Sequence, residues 1–199
     1  MTKGKRGRPR CELAQEAILE ATHNLLTEKG GNGVTIEAIA KQANVGRPTI
    51  YRWWPSVADI VLDVVLREAD SAICVHHEAP FARNLQLFLR QSVQTLNEWG
   101  GAHLRFLMAH AQKDKEFRER FRENFTNKRR QIVHSMLLHA TETGEVSPIC
   151  DSDLLIDLIF GPMWYRLLTG HAPLDTHFAD NLTEQLLLLV QENPACRKK

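Results

Sequence analysis

Apolar positions recur along this chain at intervals of three and four residues, and strand-like alternation persists nowhere, so the sequence reads as all-α. From Glu12 to Lys29 the residues Ala14, Ile18, Ala21 and Leu25 share one face, and the glycines of KGGNG end the helix. Thr35 is placed to N-cap a second helix, Ile36 to Ala43, with Ile36, Ile39 and Ala40 inward. Asn44 tolerates the left-handed backbone of a tight turn and Val45 plugs it from behind. A third, short helix then runs from Arg47 to Trp54, with Pro48 in its first turn where a missing N–H does no harm. Pro55 closes it. Ser56 N-caps a fourth helix reaching about Cys74, with Asp59 in a box-like position. Further helices are expected at Phe81–Trp99, Ala102–Gln112, Lys115–Thr143, Asp151–Thr169 and Phe178–Glu192, divided by HHEAP, GG, TGEVSP and GHAPLD. Gly161-Pro162 should kink the fourth of these.

This pattern gives an N-terminal three-helix domain followed by a larger helical bundle. Residues 1–11 read as a basic flexible arm, 12–55 as a helix-turn-helix unit and 56–199 as a regulatory and dimerisation domain. Charge sharpens the division. Residues 1–55 carry nine Lys/Arg against five Glu, +4, whereas the remainder carries 16 basic and 19 acidic residues, −3. Only the first quarter is suited to a polyanion. The four cysteines are far apart and form no C-x-x-C pair, as expected of free thiols in a reducing compartment. No apolar run approaches the ~18 residues of a membrane span. A cytoplasmic location is the expectation.

The third helix is short enough for its faces to be assigned directly. Ile50 and Trp54 share a face and should pack onto the first two helices, whereas Arg47 and Tyr51, Pro48 and Arg52, and Thr49 and Trp53 lie elsewhere. Burying their polar groups unpaired would cost ~1–3 kcal/mol each, so they should face outward. A tight two-helix unit with a donor-rich second helix is the geometry that enters a DNA major groove. Arg can pair bidentately with guanine, Thr can offer its methyl to thymine, and Tyr and Trp can reach phosphates. The arm segment KRGRPR, with Arg6 and Arg8, suits a narrow, electronegative minor groove. The competing reading is a helical corner with a solvated basic tail.

The run TIEAIAKQANVGRPTIYRWWPS, residues 35–56, resembles the N-terminal signature of the tetracycline-repressor (TetR/AcrR) family of transcription regulators. The resemblance extends from the first-helix ending LLTEKGGNGVT through IAKQANV and TIYRWWPS to ADIV, about 50 contiguous residues. GPMWYRLLTGHAPL is similar to segments of that family's ligand and dimerisation domains. The resemblance implies a homodimeric, ligand-released DNA-binding regulator, usually a repressor. It places Thr35 at a phosphate contact, Arg47, Pro48 and Thr49 where bases are read, and Tyr51 and Trp53 at the DNA backbone. After PS the family commonly has a phosphate-binding Lys; this chain has Val57. Arg52, the arm and the helix-4 amides are expected to offset that loss.

The last helices suggest the oligomer. LLIDLIFGPMWYRLL and LTEQLLLLV are apolar nearly all round, which favours an interface of two helices from each subunit, with Leu154, Leu158, Tyr165, Leu182, Leu186 and Leu189 as candidates. Burial within one subunit is the alternative. Phe88, Trp99, His103, Phe106, His110 and Trp164 are candidates for an effector pocket, being bulky aromatics with a few polar tips. His103 and His110 could share a helix face, but with no third ligand in view no metal is expected, nor any cofactor. KDKEFRERFRENFTNKRR reads as a solvated amphipathic helix with Phe117, Phe121 and Phe125 inward and Glu116 paired to Arg120. No nucleophile elbow, Walker loop, H-E-x-x-H or Gly-rich nucleotide turn occurs, so no enzyme is expected. The sequence thus favours a regulator bound to a near-palindromic operator, with a helical interaction scaffold or a DNA-binding activator as alternatives.

Overall fold

The apolar periodicity is realised as helix throughout a computed structural model, which describes residues 8–72, 79–147 and 151–191. Among the described residues there is no strand. The helices are α1 (Arg8–Lys29), α2 (Ile36–Gln42), α3 (Arg47–Tyr51), α4 (Val57–Ala72), α5 (Phe81–Thr95), α6 (Gly101–Ala111), α7 (Lys115–Phe121), α8 (Asn127–Glu142), α9 (Ser152–Thr169) and α10 (Thr176–Gln191). They fall into two compact units, one of residues 1–69 with 102–121 and the other of residues 70–101 with 122–199. The α6 and α7 helices thus cluster with the N-terminal ones.

In the first unit α1 packs on α2 and α2 on α3. Ile18, Leu26, Ile39 and Ile50 are completely buried, as are Leu107 of α6 and Phe117 of α7. α1 starts four residues before Glu12, so Arg8, assigned to the arm, is its first residue, and Pro9 occupies a first-turn position that a helix tolerates. Arg6 lies outside the described residues. α3 stops at Tyr51 rather than Trp54, because the ring of Pro55 disfavours helical backbone in the residue before it. Arg120, expected to pair with Glu116, instead places its guanidinium 2.9 Å from Asp59 Oδ1 on α4. Asp59 is nearly buried, and its other oxygen accepts the Ser56 hydroxyl at 2.7 Å.

The second unit is built on α5, which packs against both α10 and α8, while α8 also packs on α9. Its core includes Phe88, Leu89, Val133, Ile156, Ile159, Met163 and Leu186. Arg90 of α5 grips Asp180 of α10 through two hydrogen bonds of 2.7 Å. Arg130 of α8 pairs with Asp153 and Asp157 of α9. The GG expected to separate two helices does not break the run. A π turn, Leu96–Gly100, leads directly into α6, and Gly100 permits it because a Cβ there would sit 3.1 Å from the Thr95 carbonyl oxygen. A second π turn, Arg122–Thr126, likewise joins α7 to α8. α9 opens on the Asp151 side chain, which accepts the Leu154 amide, runs through Pro162 and ends at left-handed Gly170.

Two measurements test this packing. Phe88→Ala should lower stability by about 3–5 kcal/mol in urea unfolding, because a completely enclosed ring leaves a cavity. The hydrogen bonds from Arg90, and secondarily from Gln86, hold the Asp180 carboxyl below its ordinary value. A depressed folded-state value means that the stabilisation is complete above about pH 4 and fades as pH falls through the lowered value. Asp180→Asn should therefore flatten the acid side of a plot of urea midpoint against pH.

Candidate nucleic-acid interface

Helix-turn-helix geometry is set by three local choices. Thr35 has extended backbone and its hydroxyl oxygen accepts the Ala38 N–H at 3.1 Å, so α2 begins at Ile36. Asn44 takes a positive φ of 52°, the left-handed conformation that reverses the chain after α2. Ile50 and Trp54 are buried, and the Trp54 Nε1–H donates to Asp63 Oδ2 on α4 at 2.6 Å. With those two anchored, the remaining side chains of the segment are turned outward. Arg47, Pro48, Tyr51, Arg52 and Trp53 are exposed and Thr49 is half-buried. Tyr51 and Trp53 are large apolar surfaces left 56% and 40% accessible, a cost without a folding benefit.

The electrostatics are specific. Arg52 lies 5.4 Å over the Trp53 ring, which holds a cation and an aromatic face together. Arg47 donates to Glu37 Oε1 at 3.0 Å, across the turn from α3 to α2, with both side chains largely exposed. Hydrogen bonds from its own backbone amide and from Arg47 hold the Glu37 carboxyl below its ordinary range. Sequence reasoning missed Glu37, which at ten residues from Arg47 is visible only once α2 and α3 are folded together. Thr35, whose oxygen serves the cap, also turns its hydroxyl toward the Glu37 carboxylate and helps to hold that group low. Val57, where a Lys was expected by resemblance, is half-buried at the start of α4.

The six candidate pocket residues divide between the two units. Phe88, Trp99 and Trp164 belong to the second unit and His103, Phe106 and His110 to the first. Phe88 is core, edge-on to Phe160 at 5.9 Å, which in turn meets Trp164 at 6.3 Å. His103 is completely buried with its ring 5.1 Å from His23. His110 faces Phe106 and Phe117, and among the described residues no three metal-ligating side chains cluster. Openings occur in both units, and the one in the first unit takes in two of the pocket candidates. One of about 210 Å³ in the second unit is lined by residues including Phe81, Asn84, Met136, His139 and Glu145. The other, about 420 Å³ in the first unit, includes Phe106 and His110. The former draws on residues far apart in sequence, so no local pattern marks it, whereas the latter is lined largely by one face of α6.

On α9 the side chains of Leu154, Leu158 and Tyr165 are exposed, and Leu168 continues the same face at helical spacing. Leu189 is exposed with Leu188 on α10. Leu186 corrects the expectation. It is buried in the second unit's core, in phase with Ala179, Thr183 and Val190 on the face of α10 that meets α5; Leu182 is half-buried against that core. The unbroken LLLL run hides this phase. No described helix is long and apolar enough to cross a membrane.

The geometry agrees with what the chain is similar to. Residues 18–64 match the model of bacterial regulatory proteins of the tetR family, and residues 78–186 that of the tetracyclin repressor-like C-terminal domain. The uncharacterized HTH-type transcriptional regulator YdeS of Bacillus subtilis is 34% identical over 179 residues, 89% of this chain and 90% of that protein. The TetR family transcription regulator SCO0332 superposes with a TM-score of 0.73 at 28% identity, covering 87% of this chain and 96% of that one. The fold is also that of FadR from Bacillus subtilis in complex with stearoyl-CoA, with a TM-score of 0.69 at 21% identity over 86% of this chain and 97% of that one. With its reading helix exposed and both halves matched, this chain belongs to the TetR family of helix-turn-helix transcriptional regulators.

Proposed function

We propose that the protein acts in the cytoplasm as a homodimeric repressor that holds a near-palindromic operator and is released by a small-molecule effector. The observation that carries this reading is the outward row on α3. Arg47, Pro48 and Thr49 are offered to base edges and Tyr51, Arg52 and Trp53 to the backbone, while Ile50 and Trp54 fix the helix beneath them. Thr35, at the N-terminus of α2, is offered to a phosphate, and Arg6 and Arg8 supply charge at the N-terminus. Two such heads need a two-fold axis. Leu154, Leu158, Tyr165 and Leu168 supply a continuous apolar face for it, joined by Leu189.

Glu37 adds a control on specificity. An Arg47 already held by a carboxylate is pre-oriented, yet it must exchange that partner for a base, so wrong sequences gain less from it. Release follows from a ligand that binds the free conformation more tightly than the bound one. The neighbour FadR was crystallised with stearoyl-CoA, which supports an effector without identifying the one used here.

Gel shift on the chain's own upstream DNA tests the reading. Wild type should retard it, and Arg47→Ala with Tyr51→Ala should weaken binding on the order of a hundredfold, from ~1–3 kcal/mol per contact. Full retardation by that double variant would reject the assignment of α3. Deleting residues 1–7 should lower affinity and flatten the dependence on salt, because three cations are removed. Leu158→Glu with Tyr165→Glu should yield monomers in sedimentation; an unchanged dimer would move the interface elsewhere.

A further inference from the structure

The opening in the first unit has a composition that folding does not require. Ala102, Arg105, Phe106, Ala109, His110 and Lys113 all line it, a spacing that makes them one face of α6 and the turn beyond it. Gly30 and Gly31, from the turn after α1, form the facing wall. This wall is close: a Cβ on Gly31 would lie 3.0 Å from Phe106 Cδ2, so a side chain there would press on the ring. Small Ala102 and Ala109 leave the space, and the Phe106 and His110 rings lie parallel within 10° at 6.5 Å.

Charge gives the opening its chemistry. Arg105 and Lys113 stand eight residues apart, two turns along the face. Among the described residues neither makes an ion pair, whereas Arg47, Arg67, Arg90, Arg120 and Arg130 each meet a carboxylate. No acidic residue lines the opening. The nearest along the chain, Asp114, is engaged in accepting the Phe117 amide at 2.9 Å and in facing His110 at 3.8 Å. A volume of about 420 Å³ lies within the range of small-molecule sites.

We infer that this face of α6, with the Gly30-Gly31 turn, binds small organic anions in which a carboxylate, phosphate or sulfonate is joined to an aromatic or aliphatic body. The apolar body rests on Phe106, His110 and the two alanines, and Arg105 and Lys113 hold the charge. The binding itself does not rest on the proposed operator function and is tested without DNA.

The probes are 2-naphthoate and its neutral counterpart 2-naphthalenemethanol, titrated into full-length protein and followed by calorimetry and amide NMR shifts. The anion should bind about tenfold more tightly than the alcohol, as expected of one added charge-assisted contact. Its shifts should centre on Gly30, Gly31 and residues 102–113. Arg105→Ala with Lys113→Ala should abolish that preference, and Ala109→Phe should block both probes by filling the space. An unaltered thermal midpoint establishes that these variants are folded. Equal binding of anion and alcohol, shifts centred in the second unit, or unchanged binding by both variants would overturn the site.

Discussion

The seating of Trp54 is the constraint on which the reading head depends. Its indole is buried beside Ile50, and its N–H is satisfied by Asp63 at 2.6 Å, so a large ring is enclosed without an orphaned donor. A helix of five residues has almost no stability of its own. Its orientation comes from these two side chains, and their burial determines that Arg47, Tyr51 and Trp53 point away from the protein. Because Asp63 is on α4, the same hydrogen bond also ties the end of the helix-turn-helix to the next element.

Much of this was legible in sequence because it depends on neighbours three or four residues apart. The Ile50/Trp54 pairing, the Thr35 cap, the left-handed Asn44 and the Ser56–Asp59 contact are local, and each has a residue type with a known conformational preference. The less legible features involve either competition between signals or distance. Gly100-Gly101 reads as a break, yet the chain stays helical by widening one turn. In LLLL the period cannot be seen, so Leu186 could be assigned to the core only after α10 was placed on α5. The pocket candidates were chosen by chemistry, and aromatic content says nothing about which compact unit a residue joins.

Glu37 and Asp59 show two uses of a carboxylate in one small unit. Glu37 is exposed and its hold on Arg47 is open to water, a contact weak enough to exchange when a better partner arrives. Asp59 is enclosed, shared by Ser56 and Arg120, and removal of either partner would leave charge poorly solvated. The first suits a surface that must rearrange and the second a joint that must not.

The Asp59–Arg120 bridge spans sixty-one residues, and its two ends lie in the same compact unit although residues 70–101 of the second unit intervene. The head is thus not a cassette that can be lifted from the N-terminus. A chimera transplanting residues 1–69 alone would leave behind Leu107, Phe117 and the guanidinium that neutralises Asp59. Specificity can be exchanged between such proteins only by carrying α6 and α7 along, or by altering α3 in place.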